Sequence, residues 1–313
     1  MGSVMNLNGT SMAPSLAEMI KEGKKNNTIK EINLGQSGAD VYELDGTRIL
    51  KHVIRDKIDN GMFDTYVKEA LFYQAKCPGT YLPEVDNLEI LPDEIIIVMK
   101  KYNSLNRADF SEDLLKKIAG VLACIHSESV PEFLTDNDAR TNLLSQDDIA
   151  GCAKGWQSVL DEHPGAFDDS VIDKISQDIN DIIGWQDSEK RILSHGDFHL
   201  DNILTGDAGE LIVCDWQGVG VRGASEDLSF FMSRLGADGI SVDSLQFLSW
   251  YASEYNRLTG ETVDPSELER HIKAANVITS FRFWHNFLHG NDTERVRGIF
   301  DKMVSDYREC WKR

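Results

Sequence analysis

The sequence predicts an α+β fold, with a small β-rich region at the N-terminus and a larger helical region after it. Short apolar stretches separated by Gly, Asp and Pro are typical of the chain up to about residue 99. Beyond about residue 104, apolar residues recur at the spacing of helices. The longest apolar run, Ile95 to Met99, has the length of a strand and marks the end of the β-rich region.

The N-terminal region is predicted to contain one short helix, a five-stranded antiparallel sheet and one inserted helix. Asp45 and Gly46 lie between two apolar-rich stretches, which is a strong hairpin signal. We expect residues 1–14 to form a disordered tail, residues 15–99 to form an N-terminal lobe and residues 100–103 to connect it to the rest. The predicted elements are a helix over 15–25, strands between 28 and 53, a helix over 63–76, and strands over 88–91 and 95–99.

Residues 104–313 are predicted to form the helical lobe. Its first helix has an apolar face that includes Leu115, Ile118 and Leu122, and Ser111 or Asp109 is the expected N-cap. Residues 193–215 form a predicted loop and hairpin, which separates two groups of helices. The later helices are predicted over 147–162, 168–184, 226–236, 243–259, 265–289 and 292–312.

The composition is that of an ordinary globular protein, with 41% hydrophobic and 27% charged residues. The 52 acidic and 32 basic residues give a net charge of -20. Because this charge repels phosphate backbones and anionic lipids, it argues against nucleic acid and membranes as partners. It permits a cationic substrate, although a solvated acidic surface explains the charge equally well.

Neither a membrane-spanning run of about 18 apolar residues nor a signal peptide is found in the sequence. The five cysteines are scattered and form no CxxC pair, so neither a zinc site nor a disulfide framework is indicated. The cytoplasm is therefore the predicted compartment.

The stretch from His195 to Asn202 carries the strongest functional signal in the chain. It contains Asp197 five residues before Asn202, and Asp215 follows thirteen residues later, at the end of an apolar stretch. Phosphoryl transfer needs a carboxylate that orients the attacking hydroxyl, and oxygen ligands for Mg²⁺. Asp197 suits the first role, and Asn202 and Asp215 suit the second. An Asp followed by Asn at this spacing would by itself also suit a polar loop with an Asx turn.

This motif resembles that of the aminoglycoside phosphotransferase/choline kinase family, whose members are relatives of the protein kinases. The resemblance spans roughly residues 30–235 and implies a bilobal protein-kinase-like fold. Gly196 stands where protein kinases carry Arg, and Trp216 and Gln217 replace their Phe-Gly. Because that Arg contacts a phosphorylated activation loop, its absence argues against this form of control.

The resemblance also assigns roles to residues upstream of the motif. It implies a phosphate-binding loop between the first two strands, a lysine on the third strand for the α- and β-phosphates, and a helical glutamate paired with that lysine. Lys51 and Glu69 are the lysine and the glutamate at matching positions. The corresponding loop residues are Gly35, Ser37, Gly38 and Ala39.

Adenine is expected to bind the main chain of the connection between the lobes, where Met99, Lys100 and Tyr102 are the candidates. Lys100 departs from the Glu that is common there in the family, which leaves GTP as an alternative to ATP. His126 and His195 are interpreted as structural residues, and Asp227 is expected to cap a helix and anchor the loop after Asp215.

The predicted function is ATP- and Mg²⁺-dependent phosphorylation of a hydroxyl on a small molecule. An aminoglycoside-like cation, as in antibiotic resistance, and a metabolic acceptor such as choline, ethanolamine, homoserine or a sugar are both open. A nucleotide-binding pseudokinase is the alternative from another class. Candidate acceptor-binding residues are acidic or aromatic: Asp136, Asp138, Asp147, Asp148, Glu226, Asp238, Phe281, Phe283, Trp284, His285, Phe287 and His289.

Overall fold

A computed structural model describes residues 16–26, 28–32, 38–75, 81–105, 110–134 and 143–311. The chain divides into two compact units, one up to Asn103 and one from Ser104 onward. The first contains a five-stranded antiparallel sheet and the second is mainly helical, so the α+β class that the sequence predicts is confirmed.

The first unit is built on a sheet with the strand order β1-β2-β3-β5-β4, in which every neighbouring pair is antiparallel. One helix precedes the sheet and another lies between its third and fourth strands. The elements are α1 (Leu16–Lys25), β1 (Ile29–Glu31), β2 (Asp40–Leu44), β3 (Arg48–Ile54), α2 (Asn60–Ala75), β4 (Val85–Ile90) and β5 (Glu94–Lys100).

The continuous apolar run of β5 reflects burial of this strand on both faces. Ile96 and Val98 pack on one face, in a cluster with Ile20 of α1 and Leu50 of β3. The helix α2 packs against β3, β4 and β5. Because β5 also lies between two neighbouring strands, neither its edges nor its faces need polar side chains.

A two-residue strand joins the first unit to the second, which continues mainly as helices. Two short strand pairs, with the turns between them, separate the early helices from the late ones. The elements are β6 (Asn103–Ser104), α3 (Glu112–Ser127), α4 (Gln146–Asp161), α5 (Ser170–Gln186), β7 (Ile192–Ser194), β8 (Ile203–Thr205), β9 (Leu211–Val213), β10 (Gly220–Arg222), α6 (Ala224–Ala237), α7 (Ser244–Thr259), α8 (Pro265–Thr279), α9 (His285–Leu288) and α10 (Thr293–Cys310).

Two features of this unit differ from the sequence-based expectation. The helix predicted over 265–289 is interrupted by a π-helical turn, Ser280–Trp284, between α8 and α9. Because apolar residues continue through this turn, the sequence pattern does not show the interruption. The strands β7 and β10 pair with each other but have three residues each, which is too short for a recognisable alternation.

The core of the second unit lies among α4, α5, α8 and α10, around the fully buried Trp156 and Phe281. The helices α3 and α7 also pack against each other, on the side of the unit that contains the motif from His195 to Asn202. Within the described part of the chain, no helix combines the length and the apolar character needed to cross a bilayer.

Candidate active site

The residues of the motif are placed by two short strand pairs. The buried strand β7 leads directly into His195, and the loop that follows ends in a 3₁₀ turn, Leu200–Asn202. The hairpin of β8 and β9 pairs Ile203 with Val213. The N–H of Cys214 donates to the carbonyl oxygen of Asn202 at 2.9 Å, so Asn202 and the residues after β9 lie at the same end of the hairpin.

Asp197 and Asn202 are in direct contact. The Asn202 Nδ2 donates to the Asp197 carbonyl oxygen at 2.9 Å and to Asp197 Oδ2 at 3.3 Å. Because a carbonyl can only accept, this contact identifies the nitrogen of the amide and leaves Oδ1 as its acceptor atom. Amide and carboxylate oxygens are the metal ligands that a hard cation such as Mg²⁺ prefers.

The carboxylate of Asp197 is held in its ionised form. The neighbouring His199, whose Nε2 lies 3.6 Å from Asp197 Oδ2, lowers the pKa of Asp197 from its usual value. Burial and the negative charge of Asp215 oppose this shift without reversing it. Since the Asp197 side chain is still 45% exposed, the anion is accessible to a substrate.

Asp215 has a left-handed backbone, with φ of 65° and ψ of 60°. This conformation is unfavourable for a residue with a Cβ, by roughly 1–2 kcal/mol, and such outliers concentrate at functional sites. The Gln217 Nε2 donates to Asp215 Oδ1 at 2.6 Å and orients the carboxylate. The described residues contain no group of three or more His, Cys, Asp or Glu suited to a metal. The motif supplies Asp215 and the amide oxygen of Asn202 as candidate Mg²⁺ ligands.

His195 links the residues around Asp197 and Asp215. Its Nε2 contacts the carbonyl oxygen of Cys214 at 3.0 Å, and the N–H of Asp197 donates to its Nδ1 at 3.2 Å. A carbonyl needs a donor and an N–H needs an acceptor, so the ring is neutral with its proton on Nε2. Burial of the whole ring lowers its pKa and favours the same neutral form. The structural role that the sequence suggests agrees with this geometry.

Asp227, on α6, holds the start of the candidate catalytic loop, residues 195–202. Its carboxylate accepts hydrogen bonds from Ser194 Oγ and from the N–H groups of His195 and Gly196, all at 2.8–2.9 Å. On the other side, it lies 3.1 Å from Nε2 of His126. Burial alone would raise the pKa of Asp227, but these bonds and the histidine hold it well below its usual range.

The expected role of Asp227 therefore needs correction. It lies in the first turn of α6, where the N-cap is Gly223, and it anchors the loop before Asp197 rather than the loop after Asp215. The His126 Nδ1 continues the network to the hydroxyl of Tyr251 at 2.8 Å. Three helices, α3, α6 and α7, thus meet at one buried polar chain that ends at the catalytic loop.

Gly196 is required by its surroundings. Its φ is +81°, and a Cβ atom on it would lie 2.1 Å from the carbonyl oxygen of Gly218 and 2.6 Å from Nη1 of Arg222. The Arg222 Nη1 itself donates to the Gly218 carbonyl oxygen at 2.8 Å. The position that carries Arg in protein kinases therefore has no room for any side chain here.

In the first unit, Lys51 and Glu69 form an ion pair. The Lys51 Nζ lies 2.8 Å from Glu69 Oε2, and the two side chains are only 12% and 1% exposed. The ammonium also lies 4.8 Å from the ring centroid of Tyr66. The neighbouring Lys68 is exposed on the other face of α2, so the helix presents the carboxylate and not the second lysine to β3.

The other sequence-derived nucleotide residues are only partly described. Gly35 and Ser37 lie outside the described residues. Gly38 and Ala39 precede β2, and Gly38 has a φ of +77° that suits glycine.

The predicted adenine-binding segment, which includes Met99, Lys100 and Tyr102, begins in the last residues of the sheet. Met99 and Lys100 are the last residues of β5, and the Lys100 N–H donates to the carbonyl oxygen of Glu84 at 2.9 Å. The Lys101 N–H donates to the carbonyl oxygen of Thr47 at 2.8 Å. The hydroxyl of Tyr102 accepts from the N–H of Glu84 at 3.0 Å. The main-chain N–H groups of Lys100 and Lys101 therefore already form hydrogen bonds within the sheet, which the sequence did not reveal.

A cavity of about 470 Å³ opens beside the catalytic loop, within the second unit. Its wall includes Gly196 and residues of α6, α8 and α10. The π-helical turn contributes Ser280 and Trp284 to the same wall. Sequence reasoning missed this cavity because its residues come from helices that are distant along the chain.

Few of the candidate acceptor-binding residues line this cavity. Glu226 and Trp284 do, whereas Phe281 is fully buried in the core. Phe287 is 71% exposed, and Asp148 forms a capping box with Ser145 at the start of α4. Asp136 and Asp138 lie outside the described residues.

Comparison with known proteins gives the family. The sequence model of the phosphotransferase enzyme family matches residues 88–260, more than half of the chain. No curated protein sequence matches the chain significantly.

Similar solved structures include aminoglycoside phosphotransferase APH(2″)-Ib bound to ADP, with a TM-score of 0.57 and 14% identity over 96% of this chain and 100% of that chain. The GDP complex of wild-type aminoglycoside 2′-phosphotransferase-IIIa has a TM-score of 0.57 and 13% identity, with the same coverage of 96% and 100%. An ethanolamine kinase of Plasmodium vivax has a TM-score of 0.55 and 11% identity over 93% of this chain and 84% of that chain. The similarity to these structures shows the fold. The family match and the motif from His195 to Asn202 indicate the activity. The chain therefore belongs to the phosphotransferase enzyme family, and it is a small-molecule kinase with a protein-kinase-like fold.

Proposed function

We propose that this kinase transfers the γ-phosphoryl group of ATP to a hydroxyl of a small molecule, in a reaction that needs Mg²⁺. The observation that carries the proposal is the contact between Asp197 and Asn202, at the hairpin end that also leads into Asp215. An accessible ionised carboxylate beside two oxygen ligands meets the main needs of phosphoryl transfer.

Asp197 is the residue proposed to orient the acceptor hydroxyl and accept its proton. Its lowered pKa keeps it ionised near neutral pH, and its hydrogen bond from Asn202 holds the carboxylate in place. His195 and Asp227 support this geometry through main-chain bonds on either side of Gly196.

Asn202 and Asp215 are the residues proposed to hold Mg²⁺, which would neutralise charge on the phosphates of the nucleotide. Lys51, fixed by Glu69, is proposed to bind the α- and β-phosphates, together with the loop that contains Gly35, Ser37, Gly38 and Ala39. The related structures with ADP and GDP support a purine nucleotide. ATP is the proposed donor and GTP the alternative.

The acceptor is proposed to bind in the cavity beside Gly196. Aminoglycosides and ethanolamine are acceptor classes among enzymes of similar fold, so an antibiotic and a metabolic acceptor are both compatible with the site. A pseudokinase is less favoured because Asp197, Asn202 and Asp215 are all retained.

The test compares Asp197→Asn with the wild type in ADP release across a panel of acceptors. We expect turnover to fall by a factor of about 10²–10⁴, the usual contribution of a general base, while calorimetry shows unchanged binding of ATP with Mg²⁺. Asp207→Asn, at the exposed turn of the β8–β9 hairpin, is the matched control and should keep full activity. Equal turnover of Asp197→Asn and wild type would rule out the assigned role. Binding of ATP without phosphorylation of any acceptor by the wild type would favour the pseudokinase.

A further inference from the structure

We propose that the acceptor of this enzyme is an uncharged, polyhydroxylated molecule, such as a sugar or a nucleoside, and not a polycation. The inference rests on the proposed function and concerns the cavity beside Gly196. It follows from the balance of charge on the cavity wall, from the neutral polar groups there and from the π-helical turn that shapes it.

The cavity approaches Asp197 along two paths, and Asp197 itself is not part of its wall. Gly196, which lines it, is bonded directly to Asp197. Phe230 lines it as well, and its ring lies 6.0 Å from the ring of His199. His199 in turn lies 3.6 Å from Asp197 Oδ2, so one side chain separates this part of the wall from the proposed base.

Each basic group of the cavity wall is paired with a carboxylate. The Lys273 ammonium lies 3.2 Å from Glu269 and 2.7 Å from Glu309, and Lys302 pairs with Asp306. As many basic as acidic side chains form the wall. They are Arg222, Lys273 and Lys302, against Glu226, Asp227 and Glu269.

The remaining two carboxylates on the wall are also engaged within the protein. Asp227 is 1% exposed and accepts bonds from the catalytic loop. Glu226 lies 3.8 Å from Arg222, and burial raises its pKa, which weakens it further as an anion. A polycation needs several unpaired carboxylates, so the net charge of -20 on the chain is not expressed at this site.

Neutral hydrogen-bonding groups make up much of the remaining wall. Ser229 Oγ donates to Asn276 Oδ1 at 2.6 Å, and Asn276 Nδ2 donates to Asp306 Oδ2 at 3.3 Å. Such pre-oriented amides and hydroxyls match the alternating donors and acceptors of a polyol. The other neutral polar residues of the wall are Ser233, Ser244, Thr279 and Ser280.

Two aromatic rings, Phe230 and Trp284, line the cavity alongside Met232, Ile272, Ala275 and Ile299. Aromatic faces bind the C–H surface of a sugar ring or the plane of a base without needing charge. Since both rings stand among hydroxyls and amides, the cavity combines apolar faces with neutral polar edges.

The π-helical turn is an independent sign of a ligand site. Its wider winding places Ser280 and Trp284 on the cavity wall while Phe281 points into the core. The carbonyl oxygen of Phe281 is satisfied by Trp156 Nε1 at 3.2 Å, so the turn is held by the core. Turns of this kind are rare and occur frequently at functional sites.

The experiment uses full-length enzyme with saturating ATP and Mg²⁺ and three classes of acceptor: neutral sugars and nucleosides, aminoglycosides, and choline or ethanolamine. Product phosphorylation is measured by mass spectrometry and ADP release. We expect the highest kcat/KM for a neutral polyol, with less than about a twofold change between about 50 and 500 mM salt. A higher kcat/KM for an aminoglycoside, choline or ethanolamine would overturn the inference and leave the kinase assignment intact. Failure of every class despite nucleotide binding would overturn both.

A pair of adjacent substitutions tests the location of the site. Trp284→Ala should raise the KM for the best neutral acceptor about tenfold, which corresponds to losing about 1.4 kcal/mol of contact, without changing the KM for ATP. Phe283→Ala is the control, because Phe283 is 48% exposed and lies off the cavity wall. Equal KM values for the two variants would place the acceptor elsewhere.

Discussion

Two residues of the catalytic region have backbones in the left-handed region, and each for a different reason. Gly196 has a φ of +81°, and the Gly218 carbonyl oxygen and Arg222 leave no room for a Cβ there, so both the backbone and the space require glycine. Asp215 has a φ of 65° although it carries a side chain, so the protein tolerates strain at this carboxylate. At the scale of single residues, local backbone geometry directs the chemistry of the site.

Gly196→Ala is expected to lower the free energy of unfolding and to reduce turnover. The strain of a Cβ at positive φ is about 1–2 kcal/mol, and the contact with the Gly218 oxygen adds about 1–3 kcal/mol for overpacking. Gly209→Ala is a close control, because Gly209 also has a φ of +81° but has no atom within 4 Å of the added Cβ. Urea denaturation of both variants measures the difference, and equal losses of stability would contradict the steric argument.

At the scale of elements, α6 determines the position of the catalytic loop, and Glu189 stabilises the start of α6. The Ser225 N–H donates to Glu189 Oε1 at 3.1 Å, and Ser225 Oγ donates to Oε2 at 2.5 Å. Burial raises the pKa of Glu189 to about 7, against the opposing effect of these hydrogen bonds. The first turn of α6, the helix that carries Asp227, thus contacts the carboxyl group of Glu189, whose protonated form is stabilised by burial.

This raised pKa predicts a specific dependence of stability on pH. The unfolded chain releases the Glu189 proton near its ordinary pKa of about 4.3 and the folded protein only near 7. Protonation therefore favours the folded state, and this stabilisation is complete below the unfolded pKa. It is lost as the pH rises through 7.

Glu189→Gln removes the titrating group while keeping its size. Relative to the wild type, its free energy of unfolding should increase by roughly 2 kcal/mol between about pH 5 and pH 8.5. Chemical denaturation at several pH values measures the change, and Glu210→Gln, at an exposed turn, is the control substitution of the same kind. A difference that is constant with pH would refute the assignment.

At the scale of the whole molecule, binding of nucleotide and metal should stabilise the fold. Adding ATP and Mg²⁺ at about a hundred times the dissociation constant should raise the free energy of unfolding by about 2.7 kcal/mol. Asn202→Leu removes the proposed amide ligand and should lose the part that depends on Mg²⁺. Thermal shift measurements with Mg²⁺ or with EDTA separate the two parts, and a Mg²⁺-independent shift in the wild type would exclude the proposed metal site.

The two units differ in how well the sequence predicts them. Alternation and the Asp45-Gly46 turn place the sheet well, since pairing within a hairpin is local. The buried network from Tyr251 through His126 to Asp227 is not predictable in the same way. His126 and Tyr251 are 125 residues apart in the chain, and no local pattern relates them.

The sequence by itself determined the order of the chemical groups, the α+β class and the family, because motif spacing and apolar periodicity are local properties. Only the tertiary structure decided which charges meet. The net charge of -20 permits a cationic substrate, yet the wall of the cavity beside Gly196 has equal numbers of acidic and basic side chains, because β10, α8 and α10 each bring a basic residue to it. The physical reason is that Coulomb interactions depend on distances between folded side chains, which composition does not contain.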